Sequence, residues 1–240
     1  MSTSRGTVEE QTIFSSCLQE EISLLVYLPA NYTPLYKYSL LIAQDGKDYF
    51  QLGRLPRLAD QLLENDEIEN TIIVGIPYKS VQQRRSYYHP DGEQNENYIR
   101  FIAHELVPFL DEIYPTYQMG LGRILIGDSL GATVSFLTAL RYPNTFGKVI
   151  LQSPYVDEKV FSAANEFSQP SLLDIYHIIG LGETEVKTTV GTTQDFLSPN
   201  RKLNELMKGK GFNYFYDEFD GDHTWKYWQP DLKRALKKML

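Results

Sequence analysis

The sequence predicts an α/β fold, in which a mostly parallel central sheet is covered by helices on both faces. Short apolar runs, typical of strands that are buried on both sides, alternate along the chain with helical patterns that have one apolar stripe. A length of 240 residues provides enough chain for one full hydrophobic core. Because no repeat, low-complexity tract or linker interrupts the pattern, we expect a single domain over residues 1–240.

Composition and charge limit the kinds of protein that this sequence can encode and the kinds of partner that it can bind. Hydrophobic residues make up 42% of the chain and charged residues 22%, as in ordinary soluble proteins. The net charge of -8 argues against a nucleic-acid partner. No apolar run is long enough to span a membrane, and the N-terminus lacks a signal-peptide pattern, so we expect a cytoplasmic protein. The single cysteine, Cys17, lies in an early strand pattern, which predicts a buried structural thiol.

Four strand patterns fall in the first half of the chain, at residues 7–16, 18–28, 38–43 and 71–76. The first two predict an antiparallel pair at one edge of the sheet, and turn residues at 29–34 end this pair. A leucine stripe predicts a helix over residues 54–64. The polar segment 78–96 predicts a long loop, and loops of this length in compact domains often line functional sites.

The second half continues the alternation of strands and helices. Apolar residues at helical spacing predict a helix over residues 98–114, which a following proline stops. Further strand patterns lie at residues 124–126, 148–153, 175–180 and 213–219. Ser198 as a cap and Pro199 in the first turn predict a helix over residues 198–207. A terminal amphipathic pattern predicts a last helix over residues 225–240.

The segment Gly127-Asp-Ser-Leu-Gly131 carries the strongest chemical signal, because it lies between a buried strand and an amphipathic helix. This context is typical of a nucleophile elbow, a strained turn that pushes a serine hydroxyl out of the backbone. Glycines two residues before and after the serine leave room for the crossing strand and helix. The helix that begins there aims free N–H groups at the reaction centre. Ser129 is therefore the candidate nucleophile.

A serine nucleophile needs a base, and in α/β-hydrolase sheets the acid and then the histidine follow the serine along the chain. Only His177 and His223 come after Ser129. His177 lies inside an apolar strand pattern, where a core histidine is expected. His223 lies in a loop between the last strand and the last helix, and loops at the carboxyl ends of the strands form the site in such sheets. We therefore expect His223 to be the base.

The acid is expected after the strand that ends near residue 180, where it orients the imidazole and stabilises its charged form. Three carboxylates are available, Glu183, Glu185 and Asp195. Glu183 is preferred and Asp195 is the second choice. An oxyanion hole also needs two backbone donors. The Leu130 N–H, directly after the nucleophile, is the first, and the second should come from the loop at residues 45–48, although Asp-Gly there also suits a simple turn.

Together, several segments resemble the putative esterase family, which includes esterase D, enterochelin esterases, feruloyl esterases and mycolyltransferases. The segments are the elbow, Asp45-Gly46, Glu105-Leu-Val-Pro108 and Gly221-Asp-His-Thr-Trp-Lys-Tyr-Trp228. The resemblance covers most of the chain, from about residue 24 to residue 240. It implies an α/β-hydrolase fold and a triad of a serine, an acid and a histidine.

By motif match, the resemblance makes Ser129 the nucleophile, His223 the base and Glu183 the acid. It also assigns the second oxyanion donor to the Lys47 N–H, since relatives use the residue after Asp-Gly. The sequence departs from the family in two places. Asp222 stands where relatives often carry a second glycine. An insert at residues 186–194 precedes Asp195-Phe-Leu197, which is similar to the acid-bearing segment of esterase D, so both acids remain candidates.

These residues predict a serine carboxylesterase that hydrolyses a small-molecule ester through an acyl-enzyme intermediate, without a metal or an organic cofactor. One alternative is a siderophore trilactone esterase acting on an anionic ferric catecholate. Four cations could then supply positive charge near the mouth of the site: Lys47, Lys79, Arg84 and Arg85. A second alternative is a hydrolase-shaped binding protein without catalysis, and the intact serine, histidine and carboxylate argue against it.

Overall fold

The computed structural model describes residues 5–240, and one large sheet organises this part of the chain. The strands are β1 (Thr7–Ser15), β2 (Glu20–Leu28), β3 (Ser39–Ala43), β4 (Thr71–Gly75), β5 (Arg123–Asp128), β6 (Lys148–Gln152), β7 (Asp174–Gly180), β8 (Val186–Lys187), β9 (Thr193–Gln194) and β10 (Asn213–Phe219). Eight of them form the sheet, in the order β1-β2-β4-β3-β5-β6-β7-β10. The β1–β2 and β2–β4 pairs are antiparallel and the other pairs are parallel. The predicted mostly parallel sheet with an antiparallel edge is confirmed.

Helices cover both faces of this sheet. They are α1 (Gly46–Gln51), α2 (Leu55–Glu64), α3 (Val81–Tyr88), α4 (Asn95–Phe101), α5 (Val107–Ile113), α6 (Leu130–Arg141), α7 (Glu158–Glu166), α8 (Leu197–Lys210) and α9 (Trp225–Met239). Successive strand residues point to opposite faces, so Leu40 and Ile42 pack into one core whereas Leu41 and Ala43 pack into the other. Helices α1, α2 and α9 cover the second core, and most of the others cover the first.

The parallel strands bring four loops to the same edge of the sheet. Strands β3, β5, β7 and β10 all end there, and the loops that follow them carry the predicted site residues. The β7–β10 register places Gly180 opposite Phe219, and beyond the strands the Gly182 N–H donates to the Gly221 carbonyl at 2.9 Å. The loops that hold Glu183 and His223 therefore run side by side.

The long loop expected over residues 78–96 is wrong, because this segment contains α3 and the start of α4. Ser80 caps α3 by accepting a hydrogen bond from the Gln83 N–H at 3.1 Å. Tyr87 and Tyr88 are buried at the end of this helix. The polar residues that made the segment resemble a loop belong to a helix anchored by tyrosines.

The predicted helix over residues 98–114 is present but is not uniform. It begins at Asn95, and a π-helical turn, Ile102–Leu106, separates α4 from α5. This turn ends directly before Val107 and Pro108, and a proline has no N–H to donate to the helical ladder. Within residues 5–240, no helix combines the length and the hydropathy needed to cross a membrane.

The placement of Cys17 inside a strand is also wrong. Cys17 lies in the turn between β1 and β2, where it is half-buried. Glu105 fixes this turn, since one carboxylate oxygen accepts from the Cys17 N–H at 3.0 Å and the other from the Ser15 hydroxyl at 2.5 Å. Burial, and then the Glu105 contact, raises the pKa of the Cys17 thiol, so it is a poor nucleophile. Glu105, part of the family-like segment, thus has a structural role.

Candidate active site

Ser129 lies in the turn between β5 and α6, as the elbow pattern predicts. Its backbone is in an unusual conformation for a residue with a side chain, with φ 53° and ψ −125°. A Cβ atom on Gly127 would lie 2.2 Å from the carbonyl carbon of Gly131, so only glycine fits where the strand and the helix cross. The strained backbone and the close crossing are the geometry of a nucleophile elbow.

His223 and Glu183 meet beside this elbow. His223 Nδ1 lies 2.6 Å from Glu183 Oε2, within hydrogen-bond distance. The Glu183 side chain is 0% exposed and that of His223 is 15% exposed. A buried carboxylate bonded to Nδ1 fixes the orientation of the ring and leaves Nε2 for another partner.

Glu183 is held from its other side by buried donors. The Ser153 hydroxyl donates to Glu183 Oε1 at 2.6 Å, and the Gly180 N–H donates to the same oxygen at 2.9 Å. The Trp228 indole N–H in turn donates to Ser153 Oγ at 2.9 Å. Ser153 itself has a positive φ of 50°, a strained conformation that directs its side chain into this network. Ser153 was not predicted from the sequence, and Trp228 in the His223 segment is the feature of the sequence that is connected to it.

We expect Ser153→Ala to lower kcat by roughly tenfold, because the buried Glu183 carboxylate loses a charge-assisted hydrogen bond worth about 1.5 kcal/mol. KM should change little, since Ser153 does not line the cavity beside Ser129. The measurement is steady-state hydrolysis of an aryl ester. Ser135→Ala is a matched control, because the Ser135 hydroxyl is also buried but has no hydrogen-bond partner among the described residues. An unchanged kcat for Ser153→Ala would show that the hydrogen bond from Ser153 does not contribute to catalysis.

The other two candidate acids form no hydrogen bond with His223 among the described residues. Glu185 is exposed. Asp195 is exposed as well, and its Oδ1 accepts from the Ser198 N–H at 3.1 Å at the start of α8. Burial alone would raise the pKa of Asp195, but hydrogen bonds from Ser198 hold it below its ordinary value. The predicted cap at Ser198 is wrong: α8 begins at Leu197 with Phe196 at its N-cap, and the Asp195 carboxylate accepts from the first turn of the helix.

A cavity of about 250 Å³ opens beside Ser129 and His223, and both residues line it. No direct hydrogen bond joins the Ser129 hydroxyl to the His223 ring within residues 5–240. In enzymes without substrate such bonds are often long and tighten only when substrate binds. Helix α3 and the residue after it form one wall of the cavity, and the β8–β9 hairpin with Tyr155 and Phe196 forms the other.

The two backbone N–H groups predicted to bind an oxyanion have no acceptor within residues 5–240. Among the described residues, no acceptor is bonded to the N–H of Lys47 or of Leu130. Asp45 is in the left-handed region with φ 51° and turns the chain into α1. A Cβ atom on Gly46 would lie 2.3 Å from the Gly75 carbonyl carbon, so the loop packs tightly against β4.

Arg84 ties the Asp45 loop to the elbow. Its guanidinium donates to both carboxylate oxygens of Asp45, at 2.8 and 2.6 Å, and reaches the carbonyl of Asp128 at 3.4 Å. The side chains of Arg84 and Asp45 are 12% and 1% exposed. Burial, and then the Asp45 charge, raises the pKa of Asp128 well above its ordinary value. Since Asp45 precedes Gly46-Lys47 and Asp128 precedes Ser129, this buried ion pair holds both loops of the site together.

Only two of the four cations expected near the mouth of the site line the cavity. Lys79 is 2.5 Å from Glu20 and does not line the cavity. The exposed Lys47 side chain does not line it either. Arg84 lines the cavity but forms an ion pair with Asp45. Of the four cations, only Arg85 both lines the cavity and has no ion pair among the described residues.

His177 lies in the core, as its apolar surroundings predict. It is fully buried in β7, with Nδ1 2.6 Å from the Tyr214 hydroxyl and Nε2 2.7 Å from Asn200 Oδ1. Burial lowers the pKa of His177 to about 4, so the ring is neutral at physiological pH. Both ring nitrogens have partners, and His177 is not available to the cavity.

The strand order, the elbow at the end of β5 and the histidine after the last strand define an α/β-hydrolase fold. The chain belongs to the Putative esterase family, which it matches over residues 15–239. This membership makes the protein an ester-hydrolysing enzyme, and the family and fold expected from the sequence are confirmed.

The chain is similar in sequence to two relatives and in fold to two solved structures. The chain is 57% identical to the Uncharacterized protein YjcH of Bacillus subtilis (strain 168) over 240 residues, which is 100% of both chains. It is 24% identical to an acetyl esterase of Caldicellulosiruptor saccharolyticus over 254 residues, 94% of this chain and 95% of that one. A ferulic acid esterase has a TM-score of 0.81 at 17% identity, covering 100% of this chain and 98% of that one. The enterobactin esterase FES from Shigella flexneri has a TM-score of 0.80 at 17% identity, covering 97% of this chain but 59% of that one.

Proposed function

We propose that the protein is a serine carboxylesterase that hydrolyses a small-molecule ester through an acyl-enzyme intermediate. One observation carries this proposal: the hydrogen bond between His223 and the buried Glu183 lies on the same cavity as Ser129 at the elbow. A histidine ordered by a carboxylate beside a strained serine is the arrangement that activates a hydroxyl for attack on an acyl group.

The first half of the reaction acylates Ser129. The hydroxyl oxygen attacks the ester carbonyl carbon while His223 Nε2 takes the proton. The negative oxygen of the tetrahedral intermediate accepts hydrogen bonds from the N–H groups of Leu130 and Lys47. The intermediate then collapses, the bond to the alcohol breaks, and His223 returns the proton to the leaving oxygen. Glu183 stabilises the imidazolium that exists between these two transfers.

The second half releases the acid. Water enters the cavity, His223 takes one of its protons, and the hydroxide attacks the acyl carbon. The same two N–H groups hold the second oxyanion. When this intermediate collapses, Ser129 leaves with the proton from His223, and the carboxylic acid is released. Apart from the ester and one water molecule, the groups in these steps are side chains or backbone groups of this chain, so the proposed reaction needs no cofactor.

A panel of p-nitrophenyl esters of graded chain length tests this function. The cavity of about 250 Å³ is small for a ligand site, so we expect the highest kcat/KM with short acyl chains. Hydrolysis of the short esters at a rate well above that of buffer supports the proposal. A protein that is folded but hydrolyses none of the panel would contradict it and would favour the non-catalytic binding protein.

Siderophore trilactone hydrolysis is the second candidate. The likeness in fold to an enterobactin esterase favours it. Two observations weigh against it: Lys79 and Arg84 are already paired with carboxylates, and the cavity is small beside a ferric catecholate. A catecholate trilactone assayed beside the p-nitrophenyl esters separates the two candidates, since faster hydrolysis of the trilactone would replace the small ester as the substrate.

The base role of His223 predicts a definite pH dependence. A histidine base works only when it is neutral, so protonation in acid removes its activity. We therefore expect kcat/KM to rise with pH from the acidic side and then to level off once the base is neutral. The measurement is a pH profile of kcat/KM for a short p-nitrophenyl ester, with solvent isotope effects to show that chemistry limits the rate. A flat profile under those conditions would argue against a histidine base.

A further inference from the structure

The cavity beside Ser129 differs in charge from the rest of the protein. The chain has a net charge of -8, with 31 acidic residues. Nevertheless, among the described residues no aspartate or glutamate lines this cavity, whereas three basic side chains do. Arg84 is one of them and is neutralised by Asp45. The other two, Arg85 and Lys187, come from opposite walls.

Arg85 and Lys187 are not committed to contacts inside the protein. Within residues 5–240, neither forms an ion pair or a side-chain hydrogen bond, and both are exposed. Arg85 lies on α3 and Lys187 on the β8–β9 hairpin, which is the insert noted in the sequence. The other hairpin residues that line the cavity carry no charge. They are two valines and four polar residues, Thr188, Thr189, Thr192 and Gln194.

Two carboxylates whose charges act on His89 of this wall, Asp91 and Asp157, have partners of their own. Asp91 is 2.5 Å from Lys159, and Asp157 caps α7 by accepting from the Val160 N–H at 3.0 Å. His89, on the same wall, adds no charge at neutral pH, because burial and then the Arg85 charge lower the pKa of His89 below its ordinary value. Among the described residues that line the cavity, the uncompensated charge is therefore positive and comes from Arg85 and Lys187.

From this arrangement we infer that the ester substrate carries a second, anionic group, a carboxylate, which Arg85 and Lys187 bind while the ester carbonyl lies at Ser129. Guanidinium and ammonium groups bind carboxylates through charge-assisted hydrogen bonds. The size of the cavity, about 250 Å³, suits a short dicarboxylate half-ester or an acylated hydroxy acid. This inference rests on the proposed esterase function and names the class of ester.

Two matched substrate pairs test the inference and separate an anionic acyl part from an anionic alcohol part. The first pair is mono-p-nitrophenyl glutarate and the neutral p-nitrophenyl valerate. The second is 4-acetoxybenzoate and its neutral methyl ester. We expect kcat/KM to favour the anionic member of at least one pair by about tenfold or more, and about 0.5 M salt to reduce this preference.

The double variant Arg85→Gln/Lys187→Gln should reduce the anionic-to-neutral ratio by about tenfold or more. Arg57→Gln/Lys202→Gln is the control, because it makes the same change in net charge at exposed positions that do not line the cavity. This control should keep the wild-type ratio. Circular dichroism and thermal melts of both double variants check that they fold.

The outcomes distinguish this inference from the function on which it rests. Hydrolysis of the neutral esters with no preference for either anionic ester would overturn the inference and leave the esterase proposal in place. An anionic preference that survives in Arg85→Gln/Lys187→Gln would also overturn it. Failure of the folded protein to hydrolyse any of the four esters would overturn the esterase proposal itself, together with the inference.

Discussion

Ser129→Ala is expected to lower kcat for a short aryl ester by roughly 10⁴-fold or more, because alanine removes the hydroxyl group that is proposed to form the acyl-enzyme. The fold should be unaffected. Ser129 is half-buried and its hydroxyl makes no side-chain hydrogen bond within residues 5–240, so alanine removes no contact that stabilises the protein. The measurements are kcat with a sensitive fluorogenic ester and the thermal midpoint by calorimetry.

Ser198→Ala serves as the comparison for Ser129→Ala. Ser198 is exposed on α8 and its side chain does not line the cavity, so kcat should be that of the wild type. Substantial residual activity of Ser129→Ala, above that expected from oxyanion binding alone, would show that another residue is the nucleophile. A large fall in its thermal midpoint would show that the loss of activity reflects folding.

Glu183→Gln should lower kcat by roughly 10³ to 10⁴-fold, because the amide can neither stabilise the imidazolium nor hold the reactive tautomer of His223. The thermal midpoint should change little. Glutamine has nearly the same shape as glutamate and keeps an oxygen that can accept from Ser153 and Gly180, the two donors to Oε1. The experiment is a kinetic and calorimetric comparison of the variant with the wild type.

Asp195→Asn is the matched removal of a carboxylate from the competing position. Because Asp195 is exposed at the start of α8, losing its charge should cost at most about 1 kcal/mol of stability and leave kcat almost unchanged. A severe loss of kcat in Asp195→Asn with an active Glu183→Gln would transfer the acid role to Asp195. If both variants were active, the site would work as a serine–histidine dyad or would use Glu185.

The fold could be predicted from the sequence wherever burial leaves a simple pattern. Strands β3, β4 and β5 are buried at every position, and their apolar runs were located to within one or two residues. Helix α3 was missed because its polar residues have no apolar stripe, and its buried tyrosines lie only at its end. The sequence cannot show that Arg84 faces Asp45, since 39 residues separate this pair along the chain.

The candidate site was predicted where local geometry limits the choice of residue. Gly127 is required by the crossing of β5 and α6, and a Cβ atom on Gly131 would lie 3.0 Å from the Asp45 carboxylate, so the motif is visible in the sequence. The acid was ambiguous, because Glu183 and Asp195 both follow β7 and only the parallel β7–β10 register brings the Glu183 loop against the His223 loop. Ser153 and Lys187 were not found, because their positions depend on how distant segments pack.

A covalent intermediate on Ser129 can be detected by labelling with a p-nitrophenyl alkylphosphonate and mapping the adduct by peptide mass spectrometry. We expect one phosphonyl group per chain, attached to the peptide that contains Ser129, with loss of activity in proportion to labelling. Labelling should be absent in Ser129→Ala and greatly slowed in Glu183→Gln. An adduct on another residue, such as Ser153 or Cys17, or an active enzyme that is never labelled, would show that Ser129 is not the nucleophile.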